Sequence, residues 1–193
     1  MKWKNILLVL ALWVVAGACE KKEIPMFTTD DAGIYFQRVT SYIYGSTTEN
    51  YGDSVAYSFV SAQATAKSVV LSATVRTMGK VADYDRPFKV VVDQEGTTAI
   101  EGKHYEVNLD TVVVPAGAST AYVRVRFFRT SDMMEKAIRL ALRLEENEYF
   151  KCYFPEYKNT NAYSATGALI HGDVFAFSLS EMYTAPSYWN WFG

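Results

Sequence analysis

Ala121-Tyr122-Val123-Arg124-Val125-Arg126-Phe127 is the stretch on which the fold turns. An apolar residue falls at every second position, the repeat of an extended strand with one face on a core and the other toward water. Ile138-Arg139-Leu140-Ala141-Leu142-Arg143-Leu144 repeats the pattern. An amphipathic helix over residues 133–144 is the alternative there, because good helix formers fill the segment. Strict alternation of Ile and Leu with two arginines favours the strand. Working outward, the same repeat runs through Val55, Tyr57 and Phe59, through Val69, Leu71, Ala73 and Val75, through Phe88, Val90 and Val92, and through Val112 and Val114. Pro115-Ala116-Gly117 and the segment 79–86 supply turn chemistry between strands. Seven or more strands at this spacing predict an all-β, immunoglobulin-like β-sandwich of antiparallel strands, assigned here to residues 34–157. A later strand around 174–179 and an aromatic tail from Tyr183 to Phe192 make up residues 158–193.

The N-terminus reads as an export signal. Lys2 and Lys4 precede a chargeless run, 6–15, and Ala16-Gly17-Ala18 forms a small-residue cleavage site before Cys19. Residues 1–18 are thus a signal peptide that resembles a bacterial lipoprotein leader, with Cys19 as the lipidated residue. Ala16 stands where the lipoprotein box usually carries a larger aliphatic residue, and Ala16-Gly17-Ala18 also satisfies ordinary signal peptidase. A membrane-spanning helix fits less well, since the apolar run 6–18 reaches only about 20 Å against a hydrocarbon core of about 30 Å. Residues 19–33, charged and then polar with Pro25, predict a flexible tether on the membrane surface.

Composition narrows the possible functions. Half of the 193 residues are hydrophobic, 15% are aromatic, and the formal net charge is -2. A chain with no basic stripe gives nucleic acid nothing to bind. Cys152 is the second of two cysteines and reads as a half-buried small hydrophobe, a bridge to an unlipidated Cys19 or an intermolecular thiol being the alternatives. His104 and His171 are the only histidines, stand far from ligand spacing, and read as turn residues. No nucleophile elbow, phosphate loop or dinucleotide fingerprint occurs, so neither an enzyme nor a cofactor is expected. Asp83 and Asp85 offer paired oxygen ligands for calcium. Pairing of one of them with Arg86 across a tight turn explains the segment equally well.

Gly79-Lys80-Val81-Ala82-Asp83-Tyr84-Asp85-Arg86-Pro87-Phe88-Lys89-Val90, followed by Ala99-Ile100-Glu101-Gly102-Lys103-His104-Tyr105 and then Val112-Val113-Val114-Pro115-Ala116-Gly117, resembles the domain-of-unknown-function 4843 family of Bacteroidetes lipoproteins. The resemblance implies an outer-membrane lipoprotein of the cell envelope, with exposure at the cell surface left open and the charged start Glu20-Lys21-Lys22-Glu23 similar to surface-export segments. It also implies continuation past residues 186–193, which makes the aromatic tail an incomplete extension. The second segment is similar to the Calx-β type of sandwich, with His104 where that type carries Asp, and the clustered carboxylates of its calcium sites are not evident.

Recognition is the chemistry the sequence best supports. Tyr42, Tyr44 and Tyr51 lie among Gly45, Ser46, Thr47, Thr48 and Asn50, a composition suited to adaptable surface contacts. Flat aromatic faces stack on sugar rings, so these tyrosines are the candidate ligand-binding residues; covering a sheet edge is the competing role. The expected function is a lipid-anchored binding module for glycans or glycoconjugates in nutrient uptake. A non-catalytic structural or protein-interaction lipoprotein of an envelope complex is the alternative.

Overall fold

The computed structural model describes residues 32–37, 39–42, 49–158 and 169–183. The strands are β1 (Ala32–Phe36), β2 (Val39–Tyr42), β3 (Glu49–Gly52), β4 (Ser54–Ser58), β5 (Ser68–Met78), β6 (Arg86–Pro87), β7 (Lys89–Val92) and β8 (Tyr105–Val107). They continue with β9 (Val113–Val114), β10 (Thr120–Phe128), β11 (Ile138–Glu145), β12 (Phe150–Lys151), β13 (Tyr157–Lys158), β14 (Leu169–Ile170) and β15 (Val174–Ser180). Two sheets make the sandwich, one in the order β12-β1-β5-β10-β8 and the other β4-β15-β11-β7. The pairs β2-β3, β6-β9 and β13-β14 are small separate ribbons.

Alternation decides which side chains meet between the sheets. In β10, Ala121, Val123, Val125 and Phe127 are buried while Tyr122, Arg124 and Arg126 face outward. In β5 the same alternation buries Ala73 and Val75. From the opposite sheet come Ile138, Leu140, Leu142, Leu144, Phe175, Phe177 and Leu179, and all join one core. Phe127 meets Phe177 at 5.2 Å between ring centroids, and Phe36 meets Phe175 at 5.6 Å, so the two layers are locked by aromatic contact across the sandwich.

The segment 133–144 is not a helix. A short 3-10 turn at Ser131–Met134 leads into the strand β11, which is hydrogen-bonded on both sides by β15 and β7. Beyond Val92 the chain keeps following β11 through backbone bonds, Asp93 N to the Ala141 carbonyl at 2.9 Å and Thr98 N to the Arg139 carbonyl at 2.8 Å, with threonine hydroxyls adding to them. Thr97 Oγ1 accepts from Ala141 N at 2.9 Å, and Thr98 Oγ1 accepts from Arg139 N at 2.9 Å. Gly96 permits this close approach, because a Cβ there would meet the Ala141 Cβ at 2.8 Å.

The structure departs from the sequence expectation in two respects. Not every pairing is antiparallel: β1 runs parallel to β12, and β4 runs parallel to β15. Each of these pairs joins segments distant in the chain, so no hairpin dictates direction. Second, the sandwich does not stop at residue 157. β15 lies between β4 and β11 in the interior of its sheet. The leader, Cys19, the tether up to residue 31 and the aromatic tail from residue 184 lie outside the described residues.

Two ion-pair groups fasten the ends. Arg129 Nε donates to Glu181 Oε2 at 2.9 Å, its Nη2 pairs with Glu181 Oε1, and its Nη1 reaches the Ala64 carbonyl at 3.2 Å. Arg143 reaches Asp93 at 2.7 Å and Asp173 at 3.2 Å. Cys152 forms no disulfide among the described residues and is half-buried; burial first, with Asp173 and Glu146 adding, pushes its thiol up to about 11. Phe177→Ala is expected to lower unfolding free energy by about 3–5 kcal/mol in urea titration. Val70→Thr, on the exposed face of β5, is expected to stay within about 0.5 kcal/mol of the parent.

Candidate functional site

The loop from β5 to β6 is built by hydrogen bonds to a neighbouring turn. Gly79, at φ 94°, ends β5. Ala82 O then accepts from Gly117 N at 2.8 Å, and Asp85 Oδ1 accepts from Ala116 N at 2.8 Å. Gly117 takes φ 74°, which the turn after Pro115 requires. The pairing Arg86↔Val114 and Pro87↔Val113 completes the clamp. These contacts bring the segments 79–90 and 112–117 together in the fold.

A second turn faces that loop. Asn147 Oδ1 accepts from Tyr149 N at 3.0 Å and from Phe150 N at 2.9 Å, an Asx-type turn between β11 and β12. Asn147 Nδ2 donates to Pro87 O at 2.8 Å, tying the turn to the loop. Between them lies a cleft of about 420 Å³, a volume in the range of small-ligand sites. Lys80, Asp83, Tyr84, Arg86, Glu148 and Tyr149 are among its lining residues.

Two tyrosines form its aromatic wall. Tyr84 and Tyr149 stand 6.4 Å apart between centroids at 58°, and Tyr84 is 55% exposed. The Glu148 carboxylate, then burial, raises the Tyr149 hydroxyl above its ordinary pKa. Arg86 is only 5% exposed, with Cζ 4.7 Å from the Phe150 ring centroid. Cation-π contact, rather than either neighbouring aspartate, holds its guanidinium.

The expected site residues fall differently. Tyr42 and Tyr51 lie in the β2-β3 ribbon, where the register is Tyr42↔Glu49 and Thr40↔Tyr51. Tyr44 lies outside the described residues, as does Cys19. Asp83 lines the cleft, whereas Asp85 receives the Ala116 amide and serves the turn. Among the described residues no group of three or more His, Cys, Asp or Glu is arranged to hold a metal.

The two histidines are held differently. His104 is in a turn, as its sequence suggests, but is only 2% exposed. Its Nδ1 accepts from Ile100 N at 2.8 Å, which leaves the proton on Nε2 to donate to Asp132 Oδ2 at 3.0 Å. Both ring nitrogens are engaged. Asp132 also takes Lys103 Nζ at 2.6 Å. His171 Nδ1 lies 2.9 Å from the Pro155 carbonyl and so carries the proton of that contact.

Fold and cleft together define an all-β, two-sheet sandwich with a loop-built cleft of two tyrosines around a buried arginine. The chain belongs to the family described as a domain of unknown function (DUF4843), whose model matches residues 31–193. No curated protein matches it, and no solved structure does.

Lys103 first, with Thr130 and His104 adding, holds the Asp132 carboxyl well below its usual range. A depressed folded-state pKa stabilises the fold above the unfolded-state value and loses that contribution as pH falls through the folded value. The stability advantage of the parent over Asp132→Asn is therefore expected to be full at neutral pH. It should shrink progressively below about pH 5 in pH-dependent chemical denaturation.

Proposed function

We propose that this protein is a lipid-anchored, non-catalytic binding module of the bacterial cell envelope that captures glycans at the cleft between the 79–86 loop and the 146–149 turn. The observation that carries the reading is the pair Tyr84 and Tyr149 beside a cleft of about 420 Å³. Aromatic faces bind the C–H faces of sugar rings, and the Asp83 and Glu148 carboxylates beside them accept hydrogen bonds from hydroxyls. Engagement of both His104 nitrogens supports binding rather than acid-base chemistry. The anchor is Cys19, behind a leader that resembles those of outer-membrane lipoproteins. This reading moves the ligand contacts from the 42–51 segment to Tyr84 and Tyr149.

A protein-interaction role is the second reading, favoured by the outer face of the larger sheet. Val70 and Tyr122 are exposed there beside Arg76, Arg124 and Arg126. Crosslinking in intact envelopes would then recover a partner through Tyr122, while every sugar is ignored.

Affinity electrophoresis of the full chain in mild detergent, through gels holding a panel of polysaccharides, tests the main reading. Retardation by a polymer is expected, and Tyr84→Ala should weaken it at least tenfold while the melting temperature moves little. Loss of retardation in Tyr42→Ala or Tyr51→Ala, with Tyr84→Ala unaffected, would return the site to the 42–51 segment. For the anchor, Cys19→Ala is expected to abolish incorporation of labelled fatty acid and release the protein from the membrane fraction.

A further inference from the structure

Arg86 is a largely buried cation with no carboxylate paired to it among the described residues. Its side chain is 5% exposed, and Nε has no hydrogen-bond acceptor. Asp85, next to it in the chain, gives Oδ1 to the Ala116 amide, and Asp83 lines the cleft on the exposed side. Arginine cannot discharge by losing a proton, so the burial is carried by the charged form.

The Phe150 ring covers one face of the guanidinium at 4.7 Å. That contact attracts the charge but accepts none of the N–H bonds, which radiate in the guanidinium plane. A planar fork with unused donors, set in the lining of a cleft, matches a carboxylate or sulfate. Lys80 lines the same cleft and adds a second positive charge. Asp83 and Glu148 oppose an anion, but both are exposed and screened by solvent, whereas the arginine is buried and weakly screened.

We propose that the cleft selects acidic saccharides, with Arg86 holding the anionic group and Tyr84 and Tyr149 flanking the ring that bears it. This rests on the glycan-capture reading and names its ligand class.

The experiment uses the full chain in mild detergent and microplate binding to polygalacturonate, alginate and heparin. Each is set against its carboxyl-reduced or desulfated form at matched ionic strength, together with a set of neutral polymers. The expected result is binding to at least one acidic polymer that falls at least tenfold when its anionic groups are removed. Arg86→Gln should abolish that preference and Arg86→Lys should restore part of it. If Arg86→Gln does not melt cooperatively, the comparison of native and modified polymer on the unaltered protein still decides the matter. Equal binding to both forms, or binding to neutral polymers alone, overturns the acidic class and leaves glycan capture standing. Binding to no polymer overturns both. Asp30 and Asp31 precede the cleft-lining Ala32 in the chain. Tenfold tighter binding by Asp30→Asn/Asp31→Asn would make a carboxylate of this chain the arginine's anion and overturn the proposal.

Discussion

β15 is the constraint on which the rest of the structure depends. It pairs with β11 on one side and β4 on the other, and its Phe175, Phe177 and Leu179 stand in the core. Without it β4 has no neighbour in its sheet, and Phe36 and Phe127 lose their partners across the sandwich. Its position late in the chain makes these contacts long-range, and such contacts are paid in loop-closure entropy before packing returns anything. The Arg129–Glu181 pair then fixes the end of β15 to the strand it must face, because Arg129 follows directly on β10. Placement of one C-terminal strand thus turns two half-covered sheets into a closed core.

Much of that core was legible in the sequence because alternation is a local property. Ala121 to Phe127 and Ile138 to Leu144 fall on the predicted faces, and Val55, Tyr57, Val69 and Leu71 pack partly buried against the same core. Ala141 was not legible. It sits on the solvent side of β11 by period, yet it is buried, because the Asp93-to-Ala99 segment folds over it with threonine hydroxyls. No two-residue repeat records a loop that returns to cover a strand. Strand direction was hidden for a similar reason: parallel neighbours such as β4 and β15 have no turn between them to read.

The site was less legible than the fold. Arg86 reads in sequence as the partner of an adjacent aspartate, the cheapest local arrangement for a charge in a turn. Its β-pairing with Val114 fixes the backbone, however, and the side chain lies over Phe150 instead, while Asp85 is claimed by the Ala116 amide. Tyr149 and Glu148 are not legible as site residues in the sequence, because their placement depends on Asn147, whose side chain bonds two following amides and a distant carbonyl. Asn followed two residues later by Tyr was the available signal, an Asx-type turn that presents an aromatic ring. His104 shows the limit of turn chemistry as a guide: the turn is real, but the imidazole is interior because Asp132 and the Ile100 amide satisfy both nitrogens.

The two walls of the cleft come from different parts of the sandwich, and this bears on how it can recognise anything. One wall leaves β5 of the larger sheet, and the other joins β11 of the smaller sheet to β12 of the larger. Their geometry would drift with the sheets were it not tied at three points, the Ala116 amide on Asp85, the Gly117 amide on the Ala82 carbonyl, and Asn147 on the Pro87 carbonyl. The last tie spans the cleft walls directly. Loops held this way surrender little conformational entropy when occupied, so more of the contact energy is available to a ligand. The same ties hold a buried guanidinium against Phe150 rather than letting it swing to water, which an untethered arginine on a loop would do. Retention of that charge inside the protein is therefore a property of the whole frame, from the glycine at the end of β5 to the asparagine before β12.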